Sequence, residues 1–314
     1  MTEITVEKFY LNTRVLLTGG GGFIGSRLRK KLSGIGAAVY SLDNKPAAAP
    51  GSSDICCDIR DAKALRAAVA GVAPEIVFHL AACVDRAQTP DLIKPMLEAN
   101  LFGTLNLFES LRGASSCRAM VVSGTAEEYG RAAAPFLESY REDPVGPYSL
   151  SKVCVAHLAR MFFNVYALPV MVLRPTLAYG PGQEPVMFIP ALIKTLLRGD
   201  RFPMTPGEQT RDFIYVDDLV NAYLHAGISG KGFGRVFNIG SGVPRKLMDV
   251  ARMTAALLNK ESLLDMGAKN YRAAEIMDYR VDISLAKESF GWSPETSLDK
   301  GLRLTIEDYA ERPA

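Results

Sequence analysis

Tyr148 and Lys152 stand four residues apart in Pro147-Tyr148-Ser149-Leu150-Ser151-Lys152, at the head of a helical stretch over 153–166. On a helix that spacing places a phenol and an ammonium on one face. The ammonium favours the phenolate and lowers its pKa from about 10 toward neutrality, which makes a usable acid and base. A second chemical signal lies near the start of the chain. Gly19, Gly22 and Gly25 have the spacing G-x-x-G-x-x-G between the apolar run Val15-Leu16-Leu17-Thr18 and a helix opening at Phe23-Ile24. Backbone N–H groups converge at such a turn, and the positive end of the helix points at the same spot, so a pyrophosphate fits there. Asp43 follows about 20 residues later, where a carboxylate accepts hydrogen bonds from both hydroxyls of an adenosine ribose. It repels a 2′-phosphate and so favours NAD over NADP, with Lys45 and Arg27 as counterweights that leave NADP open.

The elements needed to hold these groups are visible in the residue pattern. Apolar runs at 15–18, 37–42, 53–57, 75–80, 118–123 and 170–174 alternate with helical composition at 23–31, 62–72, 91–112 and 153–166. That alternation predicts a Rossmann-type α/β fold, a doubly wound parallel sheet with helices on both faces. The small residues of His79-Leu80-Ala81-Ala82 end the fourth strand and let a flat dinucleotide approach the backbone at the carboxyl edge of the sheet. Ser123-Gly124-Thr125-Ala126-Glu127-Glu128-Tyr129-Gly130 follows the fifth strand at the same edge. Pro175, Pro181, Pro185 and Pro190 then interrupt the alternation, and a smaller C-terminal substrate-binding lobe is expected to begin there. The expected division is residues 1–175 for the dinucleotide-binding domain and 176–314 for the lobe, with 213–260 returning to the first domain. Helices are expected over 186–197, over 248–259 and after 217, the last capped by Asp217. The segment around Asp282-Ile283-Ser284 and Phe290-Gly291-Trp292 reads as a helical cap ending in a turn.

Composition excludes several classes of function. Thirty-six basic residues against 34 acidic ones leave a formal charge of +2, too small and too scattered for a nucleic-acid footprint. A hydrophobic fraction of 48% with 22% charged residues is that of an ordinary globular protein. Residues 1–12, with Glu3 and Glu7, resemble neither a signal peptide nor a membrane anchor, so a cytoplasmic protein is expected. Cys56, Cys57, Cys83, Cys117 and Cys154 form an odd set without zinc-type spacing, expected to be reduced and mostly buried. His79, His157 and His225 are too dispersed for a metal site and read as structural.

Taken together, the chain resembles the extended short-chain dehydrogenase/reductase superfamily, specifically its nucleotide-sugar epimerase, dehydratase and reductase branch. The motifs in common order are Thr18 to Gly25, Asp43, Asp58 to Asp61, His79 to Ala82, Asn100 with Gly103-Thr104, Ser123 to Gly130, Tyr148 to Lys152, Arg174-Pro175, Tyr179-Gly180-Pro181-Gly182, Arg211 to Asp218 and Gly291-Trp292. The resemblance implies that Gly19, Gly22, Phe23, Ile24 and Gly25 hold the NAD pyrophosphate, Asp43 the ribose, Asp58 and Ile59 the adenine, and that Leu80, Ala81 and Ala82 line the cofactor path. It implies that Tyr148 moves a proton at a sugar oxygen and that Lys152 holds the nicotinamide ribose and keeps Tyr148 ionisable. Thr125 binds the same oxygen, and Arg211 meets the pyrophosphate of a nucleotide sugar. Arg280 either reaches that nucleotide or forms a surface salt bridge. A homodimer through the two helices at 91–112 and 147–166 is also implied.

The implied chemistry is hydride transfer at sugar carbon 4, which leaves three outcomes. Dehydratases of the branch carry an acidic or hydroxyl residue after the threonine and then a glutamate base; here Ala126 and Glu127 stand at those places. Alanine donates no proton. The run Thr125 to Gly130 and the segment Gly207 to Phe213 look closer to reductases of 4-keto-6-deoxy nucleotide sugars, so such a reductase is the first expectation. A 4-epimerase is the second, supported by Asp43, and a 4,6-dehydratase the third. Leu177 replaces an asparagine that binds a substrate phosphate in many relatives. A non-catalytic NAD-binding sensor is the alternative from another class, and it is disfavoured because Tyr148, Lys152 and the motif glycines are all present.

Overall fold

The computed structural model describes residues 5–47, 51–85, 87–271 and 275–311; Glu3 of the N-terminal stretch lies outside them. Seven strands form one parallel sheet. They are β1 (Arg14–Thr18), β2 (Ala38–Asp43), β3 (Asp54–Cys56), β4 (Ile76–His79), β5 (Ala119–Ser123) and β6 (Val170–Pro175); the chain then leaves the sheet for β7 (Leu177–Tyr179), β8 (Phe202–Met204) and β9 (Thr210–Tyr215) and returns with β10 (Val236–Ile239). The spatial order is β10-β6-β5-β4-β1-β2-β3. Order reverses beside β1, and the carboxyl ends of β1 and β4 therefore open a crevice between their following loops, as in Rossmann-type folds.

Side-chain alternation explains why both faces are covered. Val15 and Leu17 of β1 face one core with Phe78, Val121 and Leu173, beneath the helices Phe23–Ile35 and Val216–Ile228. Leu16 faces the other with Val77, Met120 and Val122, beneath Ala62–Val72, Gly103–Leu111 and Pro147–Tyr166. A strand buried on both faces must be apolar throughout, which is why these runs lack a polar alternation.

The smaller lobe is built from β7 and β9, joined by β11 (Pro244–Lys246), and from β8 paired with β12 (Leu264–Met266). Its core joins Ile189, Leu192 and Leu196 to Val250, Ala251, Leu302 and Tyr309. Leu247–Leu258 thus packs in the lobe, although it falls within the 213–260 stretch expected in the sheet domain; only Val216–Ile228 and β10 of that stretch join the sheet.

Several elements differ from expectation. The helix expected over 91–112 runs without interruption from Pro90 to Leu111 but changes pitch along the way, with a 3-10 turn at Pro90–Leu92 and a π-helical turn at Leu97–Phe102 between Ile93–Met96 and Gly103–Leu111. Pro95 lacks an amide hydrogen, and the wide turn points Asn100 inward. There Asn100 accepts from the Cys83 N–H at 2.7 Å and donates to the Cys83 carbonyl at 3.0 Å and to Ser151 Oγ at 2.9 Å. The helix carrying Tyr148 begins already at Pro147. Asp217 is not a cap: Tyr215 holds that place, and Asp217 in the first helical turn accepts from Arg27 at 3.0 Å. Cys56 and Cys83 are exposed, so the thiols are less buried than expected. The helical cap expected of the last part of the chain does not end at the turn: a further helix, Leu298–Glu311, closes the lobe core through Leu302 and Tyr309. Among the described residues no helix is long and apolar enough to cross a membrane, and no group of His, Cys, Asp or Glu could hold a metal ion.

Candidate active site

The glycine turn after β1 is fixed by close packing. Gly19 has φ +76° and sits where a Cβ would lie 2.7 Å from the Ala81 nitrogen, and a Cβ on Gly25 would overlap the Gly19 carbonyl oxygen. No other residue fits either place without moving backbone. Gly22 precedes the helix Phe23–Ile35, whose first N–H groups face the turn. Beside it, Asp43 ends β2 and accepts from the Gly21 N–H at 3.2 Å and from the Ser41 hydroxyl at 3.0 Å. The Arg60 guanidinium gripping Asp58 at 2.6–3.0 Å holds that carboxyl below the usual carboxylate range, against the opposing effect of burial.

These residues line one cleft of about 1030 Å³, large enough for a dinucleotide and a second ligand. Gly19, Gly22, Phe23, Ile24, Gly25, Asp43, Asp58 and Ile59 line one end; Leu80, Ala81 and Ala82 follow; Thr125, Tyr148 and Lys152 stand at the other end. The small side chains beside a glycine cradle fit a flat, phosphate-linked dinucleotide. His79 lies behind the path, fully enclosed between Thr18 at 2.7 Å and Thr104 at 2.8 Å. Burial, with a smaller push from Lys152, lowers its pKa to about 3, so it is neutral and structural.

At the end lined by Thr125 and Tyr148, Lys152 Nζ donates to the Ser123 carbonyl at 2.7 Å and lies 5.9 Å from the centre of the Tyr148 ring. Burial lowers its pKa to about 8, partly opposed by the negative charge of Glu128. Thr125 caps the short helical turn Ala126–Tyr129: its hydroxyl accepts from the Glu127 N–H at 3.2 Å, and its own N–H donates to Glu128 Oε1 at 2.9 Å. Glu128 is fully buried and paired with Arg174 at 2.7 Å. Burial pushes its carboxyl upward, while the Arg174 charge and the Thr125 N–H pull it back.

Three of the site residues singled out in the sequence stand apart from this cleft. Glu127 is half-buried on the turn behind Thr125 and does not line it. Arg211 donates at 2.7 Å to the Thr210 and Ile276 carbonyls and is paired with Glu275. Arg280 faces Asp278 at 3.6 Å, the salt-bridge alternative. Conversely, Arg60, Cys83, Thr176, Leu177, Gln183 and Met187 line the cleft without having been singled out as ligand contacts. The Tyr179-Gly180-Pro181-Gly182 turn was the available signal for Gln183 and Met187, because it follows Thr176, Leu177 and Ala178, which line the same cleft.

Comparison with known proteins agrees with this geometry. The family model described as "NAD dependent epimerase/dehydratase family" matches residues 15–240. The chain is 30% identical to the UDP-glucose 4-epimerase of Mycolicibacterium smegmatis, over 95% of this chain and 99% of that protein. It is 31% identical to dTDP-glucose 4,6-dehydratase 1 of Escherichia coli, over 94% and 92% respectively. The crystal structure of the UDP-glucose 4-epimerase of Thermotoga maritima with UDP-glucose superposes with a TM-score of 0.86 at 29% identity, covering 95% of this chain and 98% of that one. With the glycine cradle, the paired Tyr148 and Lys152 and a match running through the whole sheet, the chain belongs to the NAD dependent epimerase/dehydratase family.

Proposed function

We propose that the chain is a nucleotide-sugar 4-epimerase that retains NAD through an internal redox cycle. The observation that carries this reading is the division of labour between Asp43 and Arg27. Asp43 lines the ribose end of the cleft, whereas Arg27, a counterweight that would welcome a 2′-phosphate, donates to Asp217 at 3.0 Å and to the Pro181 carbonyl at 3.3 Å. That arrangement suits NAD.

NAD, which Gly19, Gly22, Gly25 and Asp43 would hold, would supply reversible hydride transfer at sugar carbon 4. Tyr148 removes the proton from the attached oxygen and later restores it, with the Lys152 ammonium favouring the phenolate and the Thr125 hydroxyl holding the oxygen in place. Ala126 offers no proton to a leaving hydroxyl, which counts against dehydration. A reductase of 4-keto-6-deoxy sugars is the second reading, supported by the likeness of Thr125 to Gly130; the Glu128 part of that run is engaged with Arg174. Arg211 and Arg280 are kept as substrate contacts only if Glu275 and Asp278 give way when the nucleotide binds. The free thiols suit a reducing cytoplasm. Exposed Met161 and Val165 suit a homodimer through the helix that carries them and its neighbour.

The test is to denature the pure protein, identify the released nucleotide, and offer UDP-glucose, dTDP-glucose and their 4-keto-6-deoxy derivatives. The expected outcome is NAD in the supernatant and isomerisation at carbon 4 without net consumption of NADH. Stoichiometric oxidation of NADH or NADPH by a 4-keto sugar would establish the reductase instead.

A further inference from the structure

Gln183 follows the Tyr179-Gly180-Pro181-Gly182 turn and is 8% exposed. Its Nε2 donates to the Ala178 carbonyl at 2.9 Å, and its backbone carbonyl accepts the Tyr309 hydroxyl. Its Oε1 is buried and has no hydrogen-bond partner within the protein. The amide cannot simply be turned over, since that would set Oε1 against the carbonyl oxygen of Ala178, two acceptors facing each other. The donor end is therefore anchored to the chain and the acceptor end is left over. Buried side-chain acceptors are rarely left without a partner. Gln183 lines the large cleft together with Thr176, Leu177 and Ala178, so the cleft is where a donor can reach it.

We propose that Gln183 Oε1 is a ligand-recognition group that accepts a hydrogen bond from a neutral N–H or O–H donor of the bound molecules. The chemistry of the acceptor narrows the class. Phosphate and carboxylate groups carry only acceptors near neutral pH and are turned away by an amide oxygen, so the pyrophosphates are not its partners. Adenine, uracil and the riboses carry donors too, but these are common to NAD and ADP-ribose or to UDP-glucose and UDP. The donors particular to the reacting ends are the carboxamide of the nicotinamide and the hydroxyls of the sugar, and Oε1 is assigned to one of these. The sugar alternative rests on the nucleotide-sugar reading above; the carboxamide alternative does not.

Isothermal titration of Gln183→Met and Gln183→Leu, after removal of bound dinucleotide, separates the two. Each variant is compared with wild type for NAD against ADP-ribose, which lacks nicotinamide, and for UDP-glucose against UDP, which lacks the sugar. Loss of one neutral hydrogen bond corresponds to roughly 3- to 10-fold weaker binding. A loss confined to NAD identifies the carboxamide, and one confined to UDP-glucose identifies a sugar hydroxyl. Equal changes within both pairs, or none, overturn the proposal. Tyr309→Phe frees the Gln183 backbone but keeps its side chain, and is expected to leave both comparisons unchanged; a selective loss there would assign the effect to loop position and also overturn the proposal. A wild-type protein that binds NAD but not UDP-glucose would defeat the UDP-sugar reading while leaving the NAD comparison able to decide Gln183.

Discussion

Lys152 is a cation held where solvent cannot help it. Nζ is enclosed beneath β5 and bound to the Ser123 carbonyl, and burial brings its pKa to about 8. The free lysine value is about 10.4, so the folded protein sheds this proton earlier than the unfolded chain. In sign, Lys152 therefore weakens folding below pH about 8 and ceases to do so as pH rises toward 10.4. Its catalytic effect runs the other way. Above pH about 8 the ammonium is lost, and with it the charge that favours the Tyr148 phenolate. The prediction is that kcat/KM measured against pH falls on an alkaline limb with an apparent pKa near 8. Lys152→Met should be slow at every pH and lack that limb, and Tyr148→Phe should lose roughly 10²- to 10⁴-fold in turnover while still binding NAD. A flat wild-type profile through pH 9 would remove Lys152 from the acid/base step.

The elements around the site are locked by one buried network. Arg174 on β6 is completely enclosed; it holds Glu128 and Glu142, each at 2.7 Å, and lies 4.7 Å from the centre of the Tyr129 ring. Tyr129 in turn donates to Asn238 of β10 at 2.8 Å, and Glu128 fixes the Thr125 N–H. The sheet edge and the turn that carries Thr125 are thus tied to each other. Arg174→Leu should cost roughly 3–5 kcal/mol, because it leaves Glu128 as an unpaired buried charge. Adding Glu128→Leu should recover part of that loss in denaturant unfolding, a non-additivity expected only of coupled partners. None of this pairing was legible in the sequence, where Glu128 and Arg174 read only as residues of two separate motifs. The glycine turn, Asp43 and the Tyr148–Lys152 pair were legible because local spacing alone determines their geometry. The π turn was not, since Asn100 is directed by Cys83 and Ser151, which only the fold brings near. Arg211 was expected at a ligand for a similar reason: the sequence shows a guanidinium but not Glu275 beside it.

At the scale of the molecule, two helices on one face of the sheet remain partly bare. Met161 and Val165 are one helical turn apart and are 39% and 63% exposed, and Phe102 on the neighbouring helix is 54% exposed. The inward sides of the same helices are saturated, with Phe108 and Phe162 in edge contact at 5.2 Å and Val155 and Ala159 buried. The apolar outer positions therefore add nothing to the monomer's core. Met161 and Val165 form a small exposed apolar patch of the kind that an association site covers; Phe102 stands apart from it, since its helix meets the other through Asn100 at Ser151 and Phe108 at Phe162. A twofold pairing brings each patch against its own copy, as an isologous interface requires, and yields a four-helix bundle. The catalytic groups stand at the buried, amino-terminal start of the helix Pro147–Tyr166, while Met161 and Val165 lie near its far end. Disrupting the patch should therefore change assembly before it changes chemistry. Analytical ultracentrifugation of the wild type should show a dimer, and Met161→Glu combined with Val165→Glu should give a monomer with its own denaturation transition. Introducing two carboxylates into a closed apolar interface is prohibitive unless they are paired, whereas on an open surface each is within about 0.5 kcal/mol of neutral. A double variant that sediments as wild type, or a wild type that is already monomeric at micromolar concentration, would show that this face does not join two copies.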